Sequence, residues 1–328
     1  MINLFYRFNP DGMNEYELQF HAKLEQVIAK ESFEDTERYS IGKHLKKYGF
    51  YPTSLPILLH AMHGPSQWDV VTPHMLKSNS EIFGFYSKRL VEDWNSKSDK
   101  EVYLLKSPNH LYAKKVDKNP FAKGTIFFHS HSTFWTDRHT DYDVVFNEIK
   151  KLPPEFHPVS VCMHFVDIQK GLHKPYQEKG YPIYTAGNWN HPYFIENFYE
   201  IIRNFTYAVS NSLGSNVLYC IDFGMPFSLI KGYPQIIHNT DNNIKTTKPS
   251  IEHKQYQKNL ELFTGIHTKI SEAQQQLVNE ELAPQGALSR LQLAIILYKA
   301  YLKFQAKRVS NILHTTILSI FRKMKIIK

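Results

Sequence analysis

The chain of 328 residues is poor in cysteine: only Cys162 and Cys220 occur, each inside an apolar run. Both read as core residues rather than a disulfide, ligands or nucleophiles, and a reducing, cytoplasmic setting follows. Long apolar runs are also missing. The longest near the end, Leu293 to Tyr298, falls far short of the ~20 residues that cross a bilayer, so no spanning segment is expected. Residues 1–10 lack a basic-then-apolar secretory pattern and read as a strand followed by a turn. From Leu282 to Lys328 there are nine basic residues and no acid. The rest carries 30 basic and 31 acidic side chains, so the net charge of +8 belongs to the tail. A nucleic-acid enzyme spreads basic surface along a cleft, whereas a basic tail suits anionic lipid. No nucleic-acid partner is expected. A Walker loop, a Gly-x-Ser-x-Gly elbow, a kinase signature and a dinucleotide fingerprint are all absent.

What is present is an ordinary globular composition, 42% apolar and 21% charged, with 22 Phe, 20 Tyr and 4 Trp. The length allows two domains with proper cores. Apolar runs alternate with helical patterns twice over, which predicts parallel sheets flanked by helices. In the first half strands are expected over residues 2–8, 55–60, 81–84 and 101–105, with helices over 14–30, 36–48 and 86–97. A polar linker follows at 113–120. In the second half strands are expected over 124–129, 159–165, 182–185, 207–209 and 227–230, with helices over 142–151, 168–178, 193–204 and 215–223. Helices at 252–263, 271–282 and 287–303 precede the tail.

Four polar clusters sit just past predicted strands, where α/β sheets meet their ligands. The turn Ser210-Asn-Ser-Leu-Gly-Ser215 opens a helix, and such a start presents unpaired N–H groups at the positive end of the dipole. It reads either as a phosphate site, through Ser210, Ser212, Gly214 and Ser215, or as a capped helix with no ligand. His60 and His63 end a strand ahead of Gly64-Pro65. Either serves as a general base or merely closes the strand, with His63 the preferred base. His129, Ser130, His131, Ser132 and Thr133 offer donors for a phosphate or a sugar carboxylate. The His-x-His pattern lacks partners at zinc spacing, so no metal is assigned there. Asn188 and Trp189 can read and cover a base or sugar ring; Trp189 fits simple packing equally well.

With these residues assembled, the chain resembles GT-B-type glycosyltransferases, in the broad group that also holds the non-hydrolysing sugar-nucleotide 2-epimerases. The resemblance spans residues 1–300 in layout. It is specific at His63-Gly64 and at Ser210–Ser215 followed by Gly224-Met-Pro226. It implies two Rossmann-like domains facing a cleft, with a helical C-terminal extension. The divisions would be an acceptor domain (1–118), a donor domain (119–250), C-terminal helices (251–304) and a basic amphipathic tail (305–328). It further implies transfer of a sugar from a nucleotide-sugar donor to a glycan or lipid-linked acceptor in surface polysaccharide or lipopolysaccharide assembly. No cofactor or bound metal is implied.

One departure is informative. Many UDP-sugar enzymes of this fold place a glutamate on the helix after the turn, whereas this helix begins Ser215-Asn-Val-Leu-Tyr-Cys220. In that respect it is more similar to enzymes that use CMP- or CDP-activated donors. His157-Pro158 is likewise similar to the His-Pro pair of bacterial sialyl- and Kdo-transferases. The tail, with Ile312, Leu313, Ile317, Ile320 and Phe321 along one stripe and no acid, reads as a peripheral anchor on the inner face of the membrane or as a last packed helix. The alternatives are an epimerase or hydrolase on the same scaffold, or a non-catalytic carbohydrate- or lipid-binding assembly protein.

Overall fold

The computed structural model describes residues 4–65, 70–134, 136–232, 235–239 and 254–323. Among the described residues ten strands form three sheets. β1 (His60–Ala61), β2 (Ile82–Phe85) and β3 (Glu101–Leu104) pair in parallel in that order. β4 (Thr125–Phe128), β5 (Thr136–His139), β6 (Val159–Cys162), β7 (Ile183–Tyr184), β8 (Tyr207–Ser210), β9 (Phe227–Leu229) and β10 (Gln235–Asn239) follow. Five of these make a second parallel sheet, in the order β7-β6-β4-β8-β9. β5 and β10 form an antiparallel ribbon beside it, which the sequence pattern did not reveal.

The second sheet is buried on both faces. Every residue of β4 and β6 is inside, as near-continuous apolar runs flanked by helices require. The chain is therefore a mixed α/β protein with parallel sheets, as the alternating pattern predicted.

Several predicted elements are shorter than their patterns, and each has a local cause. No strand forms over residues 4–8, and residues 2–3 lie outside the described residues. There the Tyr6 N–H donates to Asn197 Oδ1 at 2.9 Å, so a helix side chain takes the place of a strand partner. The first helix stops at Lys23, and the Gln26 N–H donates instead to the Asn190 carbonyl. The helix expected over 36–48 is broken, because Tyr39 and Ser40 both take left-handed backbone (φ 54° and 57°). The Tyr39 N–H bonds the Trp189 carbonyl there, and Ser40 Oγ accepts from the Ile195 N–H at 3.2 Å. Of the strand expected at 55–60 only His60 pairs, as the first residue of β1. The 168–178 helix is two short helices, Phe165–Gln169 and Lys174–Glu178, separated at Gly171.

Residues 6–22 pack on the five-stranded sheet rather than beside the three-stranded one. Phe8 stacks on Tyr184 (5.5 Å), and the Met13 N–H donates to the Ile183 carbonyl at 2.8 Å. Gly12 makes this approach possible: at φ +86°, a Cβ there would stand 2.7 Å from the Ile183 nitrogen. A salt-bridged node joins the helix Ile41–Tyr48 to the helix Phe194–Ile202. Glu196 contacts Lys43 Nζ at 2.5 Å and His44 Nε2 at 3.1 Å.

The last helix, Arg290–Lys323, is continuous across residues 304 and 305 and about 51 Å long at 1.5 Å per residue. Leu293, Ile296, Leu297 and Ala300 are buried, while Val309, Ile312 and Leu313 are exposed. Lys303 and Lys307 pair with Glu81. No helix among the described residues is long and apolar enough to cross a membrane.

Candidate active site

The parallel strands β4, β6, β7 and β8 end on one side of the second sheet, and a cavity of about 310 Å³ opens there. Its wall comes from the residues directly after each strand, the place where open α/β sheets bind ligands.

The floor is the turn after β8. Ser210 Oγ donates to the Phe128 carbonyl (2.7 Å) and accepts from the Ser212 N–H (3.1 Å), so it shapes the turn instead of offering a free hydroxyl. Gly214 caps the eight-residue helix Ser215–Asp222, and no side chain satisfies the first N–H groups. The helix start therefore faces the cavity with donors unclaimed by a cap, beside Ser212, Ser215 and Asn216. Asn211 ties this turn to the wall, its Oδ1 accepting from the Ser130 N–H at 2.9 Å.

The opposite rim is the turn His63-Gly64-Pro65. Ser215 Oγ donates to the Pro65 carbonyl at 3.3 Å. A Cβ on Gly64 would stand 3.1 Å from Ser215 Oγ and 3.2 Å from Tyr219 Oη, so this turn lies directly against the helix start. His63 is exposed to the cavity, with Nδ1 3.6 Å from Asp35 Oδ1. Burial on its own would raise the Asp35 carboxyl. The His60 and His63 imidazoles beside it, 3.5 and 3.6 Å away, and the charges of His63 and Arg38 more than offset it and hold Asp35 well below the usual carboxylate range. Tyr39 lies between His63 (5.5 Å) and Phe194 (4.7 Å), which gives the left-handed backbone at Tyr39 a place in the site.

The third wall carries His129, Ser130, His131, Arg138 and His164. Arg138 Nη1 donates to Ser130 Oγ at 3.0 Å. His131 Nδ1 lies 3.0 Å from the Ser132 carbonyl, and its ring stacks on His164 at 4.4 Å. Burial pushes the His129 imidazole down to about 3, with the His131 charge adding to it, and drives His164 well below its ordinary value. Both rings are neutral at pH 7. His129 spends Nδ1 on the Tyr176 hydroxyl (2.9 Å), and its Nε2 lies 3.4 Å from Thr140 Oγ1, so it shapes the wall. Neither nitrogen of His164 has a partner among the described residues, so that ring can give a ligand one N–H donor and one lone pair, while Arg138 brings the wall's fixed positive charge.

The structure thus gathers His63, His129, Ser130, His131, Ser210, Ser212, Gly214 and Ser215 around one cavity. Five other residues singled out in the sequence do not line it. His60 is buried behind His63 and bonds Ser78. The Ser132 N–H is held by Asp167, whose carboxyl burial raises to about 6. Thr133 bonds the Thr136 backbone. Asn188 bonds the Ala22 carbonyl and Glu25. Trp189 packs against Phe134 and Phe165 beneath the Arg38 guanidinium, the packing alternative left open above.

His157-Pro158 precedes β6 at its amino end, while the cavity opens at its carboxyl end. Asp141-Tyr142-Asp143 is an Asp-x-Asp triplet. Asp141 caps the helix Tyr142–Lys150, and neither aspartate lines the cavity. Asp35, Tyr39, Arg138, His164 and Asn216 went unmarked in the sequence. Asp35 lies 28 positions before His63 with no motif joining them, and Arg138 sits in a polar run that reads as surface.

No family model matches the chain, and no curated protein does. Among solved structures it is similar to a UDP co-structure of MnaA from S. aureus, at 10% identity and TM-score 0.32. That match covers 66% of this chain and 54% of MnaA, so the chain spans about half of that protein's length. It is also similar to a variant of the wall teichoic acid polymerase TagF, at 11% identity and TM-score 0.36, over 82% of this chain and 70% of that one. Both likenesses are too distant to carry an assignment of activity.

Proposed function

We propose that the chain is a glycosyltransferase of the GT-B kind, in which the cavity is the cleft between two Rossmann-like units. The observation that carries this reading is the contact of the His63-Gly64-Pro65 turn with the uncapped start of the helix Ser215–Asp222. It sets a candidate base beside a candidate phosphate site across a single cavity, as transfer of a sugar from a phosphate to a hydroxyl requires.

In this reading the donor phosphate rests on the N–H groups of Ser215 and Asn216, with the Ser212 hydroxyl nearby. With Nδ1 turned toward Asp35, His63 uses Nε2 to take the proton of the acceptor hydroxyl. The acceptor oxygen then bonds the anomeric carbon as the bond from that carbon to the phosphate oxygen breaks. The electron pair leaves on the phosphate, where the helix dipole and its N–H groups stabilise the growing charge. Asp35 orients His63 and balances the imidazolium it becomes, a service its persistently ionised state allows.

The cavity-facing start of the helix offers Asn216 and Tyr219 and no carboxylate. This supports a donor whose ribose is not gripped by a glutamate, CMP-sugars first. Among the described residues the lining includes no Asp or Glu, which disfavours an epimerase that moves a proton at carbon. His63 and Ser212–Ser215 share one cavity, which disfavours a non-catalytic role.

The exposed apolar and basic residues of 308–316 support the membrane part of the reading. That segment would lie on anionic lipid on the cytoplasmic face, bringing the cleft to a lipid-linked or other glycan acceptor in surface polysaccharide assembly. The test is nucleotide release from CMP-, UDP- and GDP-sugars with and without a panel of glycan and lipid-linked acceptors. Acceptor-dependent release that disappears in His63→Ala supports the reading. Release that ignores the acceptor points to a hydrolase instead.

A further inference from the structure

Behind His63, on the side away from the helix start, three side chains from three different elements converge. Asp35 comes from the helix Glu34–Glu37, His60 from β1 and His74 from the helix Pro73–Leu76. Each offers one ligand atom, and the three atoms lie within 4.8 Å of one another.

The details favour a cation over chance proximity. His60 is 3% exposed, and its Nε2 has no hydrogen-bond partner among the described residues. Its Nδ1 lies 2.8 Å from Ser78 Oγ, which fixes the ring, and Phe33 stacks on it at 5.3 Å with a 3° tilt. With the Ser78 hydroxyl holding Nδ1, Nε2 faces Asp35 Oδ2 at 3.5 Å, a gap that either a proton on Nε2 or a bound cation can bridge. Arg38 does not occupy that oxygen, because its guanidinium is bonded to the other one, Oδ1, at 3.0 Å.

The separation is informative. Ligands bound tetrahedrally at about 2.0–2.2 Å stand roughly 3.3–3.6 Å apart, so the Asp35–His60 pair already has the spacing of one tetrahedral edge. Two imidazole nitrogens and one carboxylate oxygen suit a borderline ion such as Zn²⁺ and do not suit Mg²⁺ or Ca²⁺, which prefer oxygen alone. His74 is exposed and completes the set from the solvent side, leaving a fourth position for water. Ser78 acts as the outer partner that a metal-bound histidine normally has.

We propose that Asp35, His60 and His74 form a binding site for a Zn²⁺-class divalent ion, one carboxylate oxygen away from His63. The site explains why two histidines so close in sequence differ in role: His60 faces the ion, and His63 faces the cavity. It rests on the Asp35–His60–His74 geometry and stands whether or not the chain transfers sugar.

The test uses full-length protein stripped with chelator and titrated with Zn²⁺ by calorimetry, and with Co²⁺ followed by its visible absorption. One equivalent should bind, with the intense ligand-field bands of four-coordinate Co²⁺. His74→Ala, at an exposed position, should weaken Zn²⁺ at least tenfold with the melting temperature of the stripped protein unchanged. Ser78→Ala should weaken it by about tenfold or more, the usual effect of losing an outer-shell partner. His63→Ala should bind as the parent does. Absence of saturable binding, or equal affinity in His74→Ala and the parent, overturns the proposal and leaves a proton shared between His60 and Asp35. Loss in His63→Ala with His74→Ala unaffected overturns it too, because it moves the ion to the cavity.

Discussion

Mild acid should destabilise this protein strongly, and most of the effect follows from three buried histidines. His21 and His191 lie 3.0 Å apart, nitrogen to nitrogen, and the Tyr193 N–H donates to His191 Nδ1 at 3.1 Å, so His191 donates from Nε2 to His21 Nδ1, and a further proton on either of those Nδ1 atoms would break a hydrogen bond. His129 is hydrogen-bonded to the Tyr176 hydroxyl at 2.9 Å. Burial pulls His21 down to about 4 and His191 and His129 to about 3, with the neighbouring His21 charge adding at His191 and His131 at His129.

In the unfolded chain each would titrate near 6.5, so below that pH the unfolded state binds protons that the folded state refuses. Stability is complete above pH 6.5 and falls as pH drops toward 3–4. Between pH 7 and 5 each group costs about 2 kcal/mol, or about 6 for the three. Asp167 acts in the opposite sense. Its raised carboxyl, at about 6, destabilises the fold at neutral pH, and protonation returns about 1 kcal/mol by pH 5. A net loss of about 5 kcal/mol, to which the buried His164 adds in the same sense, is a large share of the 5–15 kcal/mol typical of a folded protein. Urea unfolding followed by circular dichroism at pH 7 and 5 measures it. His129→Gln should lower stability at pH 7 yet shrink the loss on acidification by about 2 kcal/mol. Equal stability at the two pH values, or an unaltered loss in His129→Gln, would refute the reasoning.

Four further outcomes follow. His63→Ala should lower turnover by about a hundredfold or more with nucleotide affinity unchanged, the usual range for losing an acid–base group, as steady-state kinetics would show. Asp35→Ala should lower turnover through the same histidine, and a double variant no slower than His63→Ala alone would show that the two act as one unit. Gly12→Ala should destabilise by about 1–3 kcal/mol in chemical denaturation, because its Cβ would meet the Ile183 backbone and its φ is left-handed. Removing residues 309–328 should abolish sedimentation with anionic vesicles while leaving the melting temperature in place; aggregation of the truncated protein would make that segment core instead.

The sequence revealed most where burial and periodicity agree. The strands of the five-stranded sheet are apolar because both faces are covered, so β4, β6 and β8 could be placed closely. The Ser210–Ser215 turn was visible because phosphate-type helix starts need small residues in series. What stayed hidden is long-range. The Tyr39–Ser40 break interrupts a sound helical pattern because Trp189 and Ile195, some 150 positions away, claim its hydrogen bonds. Residues 4–8 look like a strand and are satisfied by side chains of a helix instead. Asp35 and His63, like Asp35, His60 and His74, meet only in the folded chain, so no spacing could announce them. Trp189 and Asn188 had the residue types of a ring-binding pair, and the fold uses both as scaffold.

The central claim, that the start of the helix Ser215–Asp222 holds a nucleotide-sugar phosphate, is tested most directly by thermal unfolding with CMP-, UDP- and GDP-sugars. The full chain and Ser215→Val should be compared, since Ser215 is only half-buried and the variant should still fold. At a hundred times the dissociation constant, a ligand bound only by the folded state stabilises it by about 2.7 kcal/mol. One nucleotide-sugar family should raise the melting temperature of the parent by several degrees and leave that of Ser215→Val nearly unmoved. No shift with any nucleotide-sugar, or equal shifts in both proteins, would contradict it.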